Sequence, residues 1–215
     1  MIEVLTAPKF INEKKYVFDF ILVECLGLSY IFDVSENEVD YRLQINDKSV
    51  VIKDDFFSNF DDDLSYLNKR NIPNNIKRFK TNILMERNIP VLYGNDSIIK
   101  TNNSIVCEAD IIASAFFMLS RWEEYVIKER DEHERLPDKN HLAVRFDFYN
   151  RPIVNDYVNI FINIFKSIGF NVDLQKEYKA IITHDVDFFE RYESYNSLIK
   201  AVGGDIIKRK SFKRA

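Results

Sequence analysis

Residues 179–187 read KAIITHDVD, an apolar run that ends in two carboxylates separated by one residue. Four to eight apolar and β-branched residues predict a strand that is covered on both faces. Because side chains alternate along a strand, Asp185 and Asp187 are expected on the same side. Ligands collect at the carboxyl ends of strands in α/β sheets, and two buried carboxylates there must share a proton or hold a cation. The run therefore predicts an α/β fold with a metal or acid–base site.

The composition is typical of a folded globular protein. Of the 215 residues, 46% are hydrophobic and 14% are aromatic, with 18 Phe and 11 Tyr, which is enough apolar surface for a substantial core. The net charge of -4 gives no general attraction to nucleic acid or to an anionic membrane. We therefore predict no nucleic-acid partner, and any binding surface must be a local feature.

The N-terminal segment and the two cysteines predict a cytoplasmic protein. Met1–Leu5 contains no basic region followed by an apolar core, so it lacks the form of a secretory signal. No apolar stretch approaches the length of about 20 residues that a membrane span needs. Cys25 and Cys107 lie in apolar surroundings, which is typical of small buried side chains in a reducing compartment.

The first half of the chain predicts short strands and one buried helix. Residues 16–26 are apolar nearly all round, which indicates a buried helix, with Asn12 as its cap and Gly27 at its end. Residues 46–48 are typical of a hairpin turn. The predicted strands span residues 2–7, 29–34, 41–45 and 49–52.

The second half predicts two amphipathic helices. Asp110 is placed to cap the first, whose apolar positions recur at steps of three and four from Ile112 to Val126. The second runs from Pro152 to Gly169. Strands that alternate with helices predict an α/β domain with a mixed sheet and flanking helices over residues 1–175.

Charged side chains of the first amphipathic helix are interpreted as solvated surface groups, with Glu124 and Lys128 four residues apart as an ion pair. They include Arg121 and Glu123. The first two histidines of the chain, His133 and His141, are interpreted as loop residues, because their spacing of eight is not typical of a metal-binding pair.

Two parts of the sequence resemble a known family. The motif ITHDVD, residues 182–187, looks like the first motif of bacterial polysaccharide deacetylases in which one residue separates the paired aspartates. The segments FFMLSRWEEY, residues 116–125, and DEHER, residues 131–135, are similar to the poorly characterised domain that precedes the catalytic domain in one group of these proteins. The resemblance implies an accessory domain over residues 1–175, followed at residues 176–215 by the truncated start of a (β/α) barrel deacetylase domain.

The function that this resemblance implies is a metal-dependent hydrolase that removes acetyl groups from N-acetylated sugars, with a carbohydrate polymer or oligosaccharide as its partner. The family's first aspartate is a general base and its second a metal ligand, which assigns these roles to Asp185 and Asp187. The expected cofactor is a divalent ion, with zinc favoured, if the full catalytic domain is present. Such an ion lowers the pKa of its bound water to about 7, and a nearby carboxylate then accepts the proton.

The chain departs from the family pattern in its histidines. The family completes its metal site with two histidines four residues apart, whereas no histidine follows His184 here. We therefore expect this chain to be the N-terminal part of a longer enzyme and to be inactive as it stands. Two alternatives stay open. One is a metal-dependent glycosyltransferase that uses the Asp-x-Asp pair, and the other is a non-catalytic binding or scaffolding module whose acids pair with Arg145 or Arg151.

Overall fold

The computed structural model describes residues 1–61, 64–79, 88–101, 104–172, 179–185 and 194–207. They fall into two compact units, Met1–Leu174 and Gln175–Ala215.

A mixed sheet forms the centre of the first unit. The strands are β1 (Ile2–Thr6), β2 (Tyr30–Val34), β3 (Tyr41–Ile45), β4 (Lys48–Ile52), β5 (Lys77–Arg78), β6 (Pro90–Val91), β7 (Gly94–Lys100) and β8 (Ser104–Ala109). Six of them form one sheet in the order β2-β1-β3-β4-β8-β7, and β5 pairs with β6 separately. The pairs β1–β2 and β4–β8 are parallel, and the other neighbours are antiparallel. The predicted mixed sheet is confirmed.

Helices flank this sheet, as predicted. They are α1 (Ile11–Phe18), α2 (Ile111–Ser120), α3 (Trp122–Val126), α4 (Leu142–Arg145) and α5 (Ile153–Ser167). Helix α1 continues as a π-helical segment at Asp19–Cys25, and 3₁₀ turns form at Phe57–Asn59, Lys69–Asn71 and Asp138–Asn140. None of the helices among the described residues combines the length and the apolar character needed to cross a membrane.

The core lies on one face of the sheet. Buried residues alternate along the strands and pair across them, as Val4 does with Leu43 and Leu43 with Val50. Side chains of α1, α2 and α5 join the same hydrophobic cluster, and α2 contacts both other helices. Helix α2 therefore links the other two helices of this layer.

Several local predictions are confirmed. Strand β3 ends at Ile45 and β4 begins at Lys48, with Asn46 at φ 54 in the left-handed conformation that suits a tight hairpin. The Asp110 carboxylate accepts a hydrogen bond from Ala113 N at 2.8 Å and caps α2. Helix α5 begins directly after Pro152.

Two helix predictions are wrong in detail. The cap position of α1 is Phe10, in a left-handed conformation at φ 56, rather than Asn12, which lies inside the helix. The helix predicted to run without interruption to Val126 is broken at Arg121, which has φ 52 and separates α2 from α3. Neither Phe10 nor Arg121 is a residue type that favours the left-handed conformation, so the local sequence does not indicate either feature.

No disulfide joins Cys25 and Cys107. Cys107 is fully buried on β8, and burial raises the pKa of its thiol to about 12. Cys25 is only partly buried, so the predicted burial holds for Cys107 alone.

The second unit differs from its sequence pattern. Residues 179–185 form no strand and are exposed, with Ile181 at 85% and Ile182 at 96%. The prediction of a buried strand is therefore wrong for these residues. A β segment needs neighbours for its backbone groups, and no described strand pairs with it. Helix α6 (Tyr195–Ile207) contains Gly203 and Gly204, although glycine has a low helix propensity.

Charged groups are buried between α1 and the loops at one end of the sheet. Lys14 Nζ lies 3.0 Å from Asp54 Oδ2, and both side chains are at most 1% exposed. The Asp110 carboxylate accepts backbone hydrogen bonds from Asp55 and Phe56, each at 3.0 Å, besides capping α2. Burial and the neighbouring Asp54 carboxylate raise the pKa of Asp110 well above its ordinary value. Polar groups thus fix the loop after β4 against two helices.

Candidate functional site

The predicted catalytic and metal residues belong to the second unit. Asp185 is exposed, as is His184, and Asp187 lies outside the described residues. Within the ranges that the structure describes, no three His, Cys, Asp or Glu side chains converge as ligands of a metal ion. The described residues therefore do not supply the donor set that zinc requires, and both assignments stay predictions. Arg151, an alternative partner for the two acids, pairs with Asp156.

A cleft lies beside the junction of α2 and α3 in the first unit. Arg121 ends α2 with φ 52 and ψ 32, a left-handed conformation that costs a residue with a Cβ about 1–2 kcal/mol. Its backbone N donates to Phe117 O at 3.1 Å, and its guanidinium pairs with Glu124. Backbone strain of this kind concentrates at functional sites, and Trp122, Glu124 and Tyr125, which follow, line the cleft.

Trp122 anchors the wall of this cleft. Its ring centroid lies 5.1 Å from that of Phe117, 6.0 Å from that of Tyr66 and 6.2 Å from that of Phe56. The side chain is 4% exposed, yet its Nε1 has no hydrogen-bond partner among the described residues. A buried donor without an acceptor costs about 1–3 kcal/mol. Because Nε1 is almost inaccessible to solvent, Trp122 acts as a tightly packed part of the wall.

Glu123 and His141 form a pair at the same place. Glu123 is buried; one carboxylate oxygen lies 3.1 Å from His141 Nδ1, and the other accepts a hydrogen bond from Leu142 N at 3.0 Å. An ionised carboxylate only accepts hydrogen bonds, so with Glu123 ionised the donor in this contact is Nδ1–H of the imidazole. The pair fixes the orientation of the imidazole and joins α3 to the start of α4.

Two adjoining cavities meet at Arg121, Asp138 and His141, which line both. We call the larger one, of about 1030 Å³, the polar cleft. The smaller one, of about 640 Å³, is the apolar cavity. The apolar cavity is lined further by Phe117, Met118, Ala143, Val144 and Tyr149.

Charges around the polar cleft cancel. Three arginines and three acids line it, together with three aromatic side chains, so the cleft combines ring faces with planar hydrogen-bonding groups and no net charge. Such a lining suits an uncharged ligand rich in hydroxyl groups better than a polyanion. These residues are Arg121, Arg130, Arg135, Glu124, Glu134, Asp138, Tyr66, Trp122 and Tyr125.

The loop that closes the cleft is held by its own polar groups. The Arg130 guanidinium donates to the carbonyl oxygens of Ile127 and Glu129 at 2.6 Å, and to that of Glu124 at 2.8 Å. Asp131 accepts hydrogen bonds from the backbone N of Arg135 and of His133, both at 2.9 Å. These bonds lower the pKa of the Asp131 carboxyl. Hydrogen bonds within the loop thus preorganise the lining of the cleft.

The sequence pattern did not predict this site. Arg121 and Glu123 were assigned to a helix surface and His141 to a loop, whereas the structure brings the three together. Their proximity depends on contacts between separate segments, which periodicity does not show. One signal was available, because the segments 116–125 and 131–135, unusual in aromatic and charged content, supply most of the polar cleft.

Comparison with known proteins gives one family. A family model described as a family of unknown function (DUF7033) matches residues 3–169, which include the polar cleft and nearly all of the sheet. No curated protein and no solved structure matches the chain. The match spans well over half of the sequence, and the chain therefore belongs to this family of unknown function (DUF7033).

Proposed function

We propose that the first unit is a carbohydrate-binding domain and that it accompanies a metal-dependent, polysaccharide deacetylase-like hydrolase that acts on N-acetylated sugars. The observation that carries the binding role is the polar cleft, with its balanced charges and its three aromatic side chains. Sugars present apolar ring faces and many hydroxyl groups, and this lining matches both.

The link to a deacetylase is supported by the sequence motifs. Segments 116–125 and 131–135 resemble the domain that precedes such catalytic domains, and they line the polar cleft. Residues 176–215 are proposed as the start of the (β/α) barrel, with Asp185 as base and Asp187 as metal ligand. This second part depends on the motif ITHDVD alone. The buried, unpaired thiol of Cys107 supports a cytoplasmic location.

Binding is tested by replacing Tyr125, which is 65% exposed and lines the polar cleft. We expect Tyr125→Ala to weaken binding of an N-acetylated chitooligosaccharide by about three- to tenfold, because an aromatic contact contributes about 0.5–1.5 kcal/mol. Isothermal titration calorimetry measures the dissociation constant. Because the side chain is at the surface, stability is expected to change by no more than about 0.5 kcal/mol.

Tyr16→Ala is the matched control, since Tyr16 is 47% exposed on α1 and lines none of the cavities described. It is expected to leave the dissociation constant unchanged. The proposed binding role fails if the unmodified chain shows no saturable binding of the oligosaccharide, or if both tyrosine variants bind equally well.

Catalysis is tested separately with the 215-residue chain, zinc and the same oligosaccharide. No acetate release is expected, because no histidine follows His184 to complete the metal site. Enzymatic assay of free acetate provides the measurement. Acetate release that Asp185→Asn abolishes would show that the chain assembles a metal site without that histidine pair.

A further inference from the structure

A third cavity of the first unit, of about 600 Å³, has a strongly positive lining. We call it the basic cavity. Four of its lining side chains are cationic, three are amides, and none of the described residues that line it is acidic. It shares no lining residue with the polar cleft. The cationic and amide residues are Lys69, Arg70, Lys139, Arg145, Asn68, Asn74 and Asn140.

Separate segments of the chain bring these cations together. Lys69 and Arg70 belong to a 3₁₀ turn in which Asn68 Oδ1 accepts a hydrogen bond from Arg70 N at 3.0 Å. Lys139 lies in the 3₁₀ turn Asp138–Asn140, and Asp138 of the same turn lines the polar cleft. Arg145 ends α4, with its guanidinium 5.5 Å from the centre of the Phe146 ring. The fold therefore holds four like charges around one space.

The four cations of the basic cavity are exposed, and together they concentrate positive charge at one place. Like charges repel, and the chain as a whole is negative at -4, so general composition does not explain a positive cavity. Asn140 Nδ2 donates a hydrogen bond to Glu129 Oε2, and Glu129 does not line the cavity. Ile72 and Ile127, which are both buried, form its apolar part.

We infer that the basic cavity binds a multiply charged oxyanion of the phosphate class. Two guanidinium groups offer planar pairs of donors that match phosphate oxygens, and two ammonium groups add charge. The anion is either free phosphate or a phosphate group carried on a sugar. The inference does not depend on the proposed carbohydrate site, because the two cavities are lined by different residues.

Calorimetric titration of the full chain at low ionic strength tests the inference, with inorganic phosphate, glucose 6-phosphate and glucose as probes. We expect saturable binding of both phosphate compounds and none of glucose at the basic cavity. The double variant Lys69→Gln/Lys139→Gln is expected to weaken phosphate binding about 25-fold, from a factor of roughly five for each charge lost near the anion.

Lys128→Gln/Lys166→Gln is the matched control, since both lysines are exposed and line none of the three cavities. It removes the same charge and is expected to leave the affinity within about twofold. Equal affinity for the two phosphate compounds assigns recognition to the phosphate group alone, and tighter binding of glucose 6-phosphate assigns it to a phosphorylated sugar. Absence of saturable phosphate binding, or equal weakening in both double variants, overturns the inference.

Discussion

Lys14→Met is expected to lower the free energy of unfolding by about 3–5 kcal/mol, because it leaves a buried carboxylate without its counterion. Lys14 Nζ lies 3.0 Å from Asp54 Oδ2, and the Asp54 side chain is fully buried. The same ammonium group lies 3.4 Å from Thr6 Oγ1 and 5.3 Å from the centre of the Tyr41 ring. Urea unfolding monitored by the fluorescence of Trp122, the single tryptophan, measures the change.

The next residue provides a matched control. Lys15 pairs with Asp19 at 2.6 Å, but both side chains are more than 40% exposed, so Lys15→Met is expected to cost no more than about 0.5 kcal/mol. Adding Asp54→Asn to Lys14→Met removes the uncompensated charge and is expected to restore part of the loss. A cost for Lys14→Met no larger than that for Lys15→Met would contradict the role assigned to the buried pair.

The effect of Lys14 depends on pH. Burial and the neighbouring Asp54 raise the pKa of Asp110 well above its ordinary value, so the folded state binds this proton more tightly than the unfolded chain. Stability from this group is fully present below the unfolded pKa of about 3.9 and is lost as the pH rises through the folded pKa. Lys14→Met takes a positive charge away from these carboxylates, and the variant is expected to lose stability more steeply with rising pH than the unmodified chain.

Gly94→Ala is expected to destabilise the protein by about 3 kcal/mol or more, from a left-handed backbone and from overpacking together. Gly94 has φ +84 and begins β7 opposite Ala109. An added Cβ would lie 2.5 Å from Glu108 O, 2.7 Å from Asp110 N and 2.8 Å from Asp55 Oδ2. Two of these three atoms belong to the backbone and cannot turn aside as a flexible side chain would. Thermal and urea unfolding give the loss of stability.

Gly169→Ala separates the two causes. Gly169 follows α5 at φ +82, and nothing lies within 4 Å of an added Cβ, so this variant reports the conformational cost alone, about 1–2 kcal/mol. The difference between the two glycine variants measures the steric conflict at Gly94. Equal losses would show that the space around Gly94 is less restricted than the distances indicate.

Features that depend on neighbours in sequence were predictable. The hairpin between β3 and β4 follows from residues 46–48, the cap of α2 from Asp110, and α5 from the proline and the apolar stripe around it. Each uses interactions within a few positions, which a single sequence displays directly.

Features that depend on distant segments were not predictable. Arginine is a good helix former, so nothing in the local pattern indicates that Arg121 ends α2. Lys14 meets Asp54, and Glu123 meets His141, only after the chain has folded. The cavity lining likewise combines α3 with the loop and turn that follow it. Residues 179–185 show the opposite error. Their apolar pattern predicted a strand, but no described strand pairs with them and none forms.

The strand order has a consequence for the rate of folding. Residues 49–52 of β4 lie beside residues 104–107 of β8 in a parallel pair, so the chain between them must close into a loop before that ladder gains any stability. Loop closure loses chain entropy before the favourable contacts between the two strands form, and long-range parallel pairing is therefore slow. The hairpin of β3 and β4 needs no such closure. We expect the hairpin to form early. We expect the pairing of β8 with β4, rather than the formation of any helix, to limit the rate of folding.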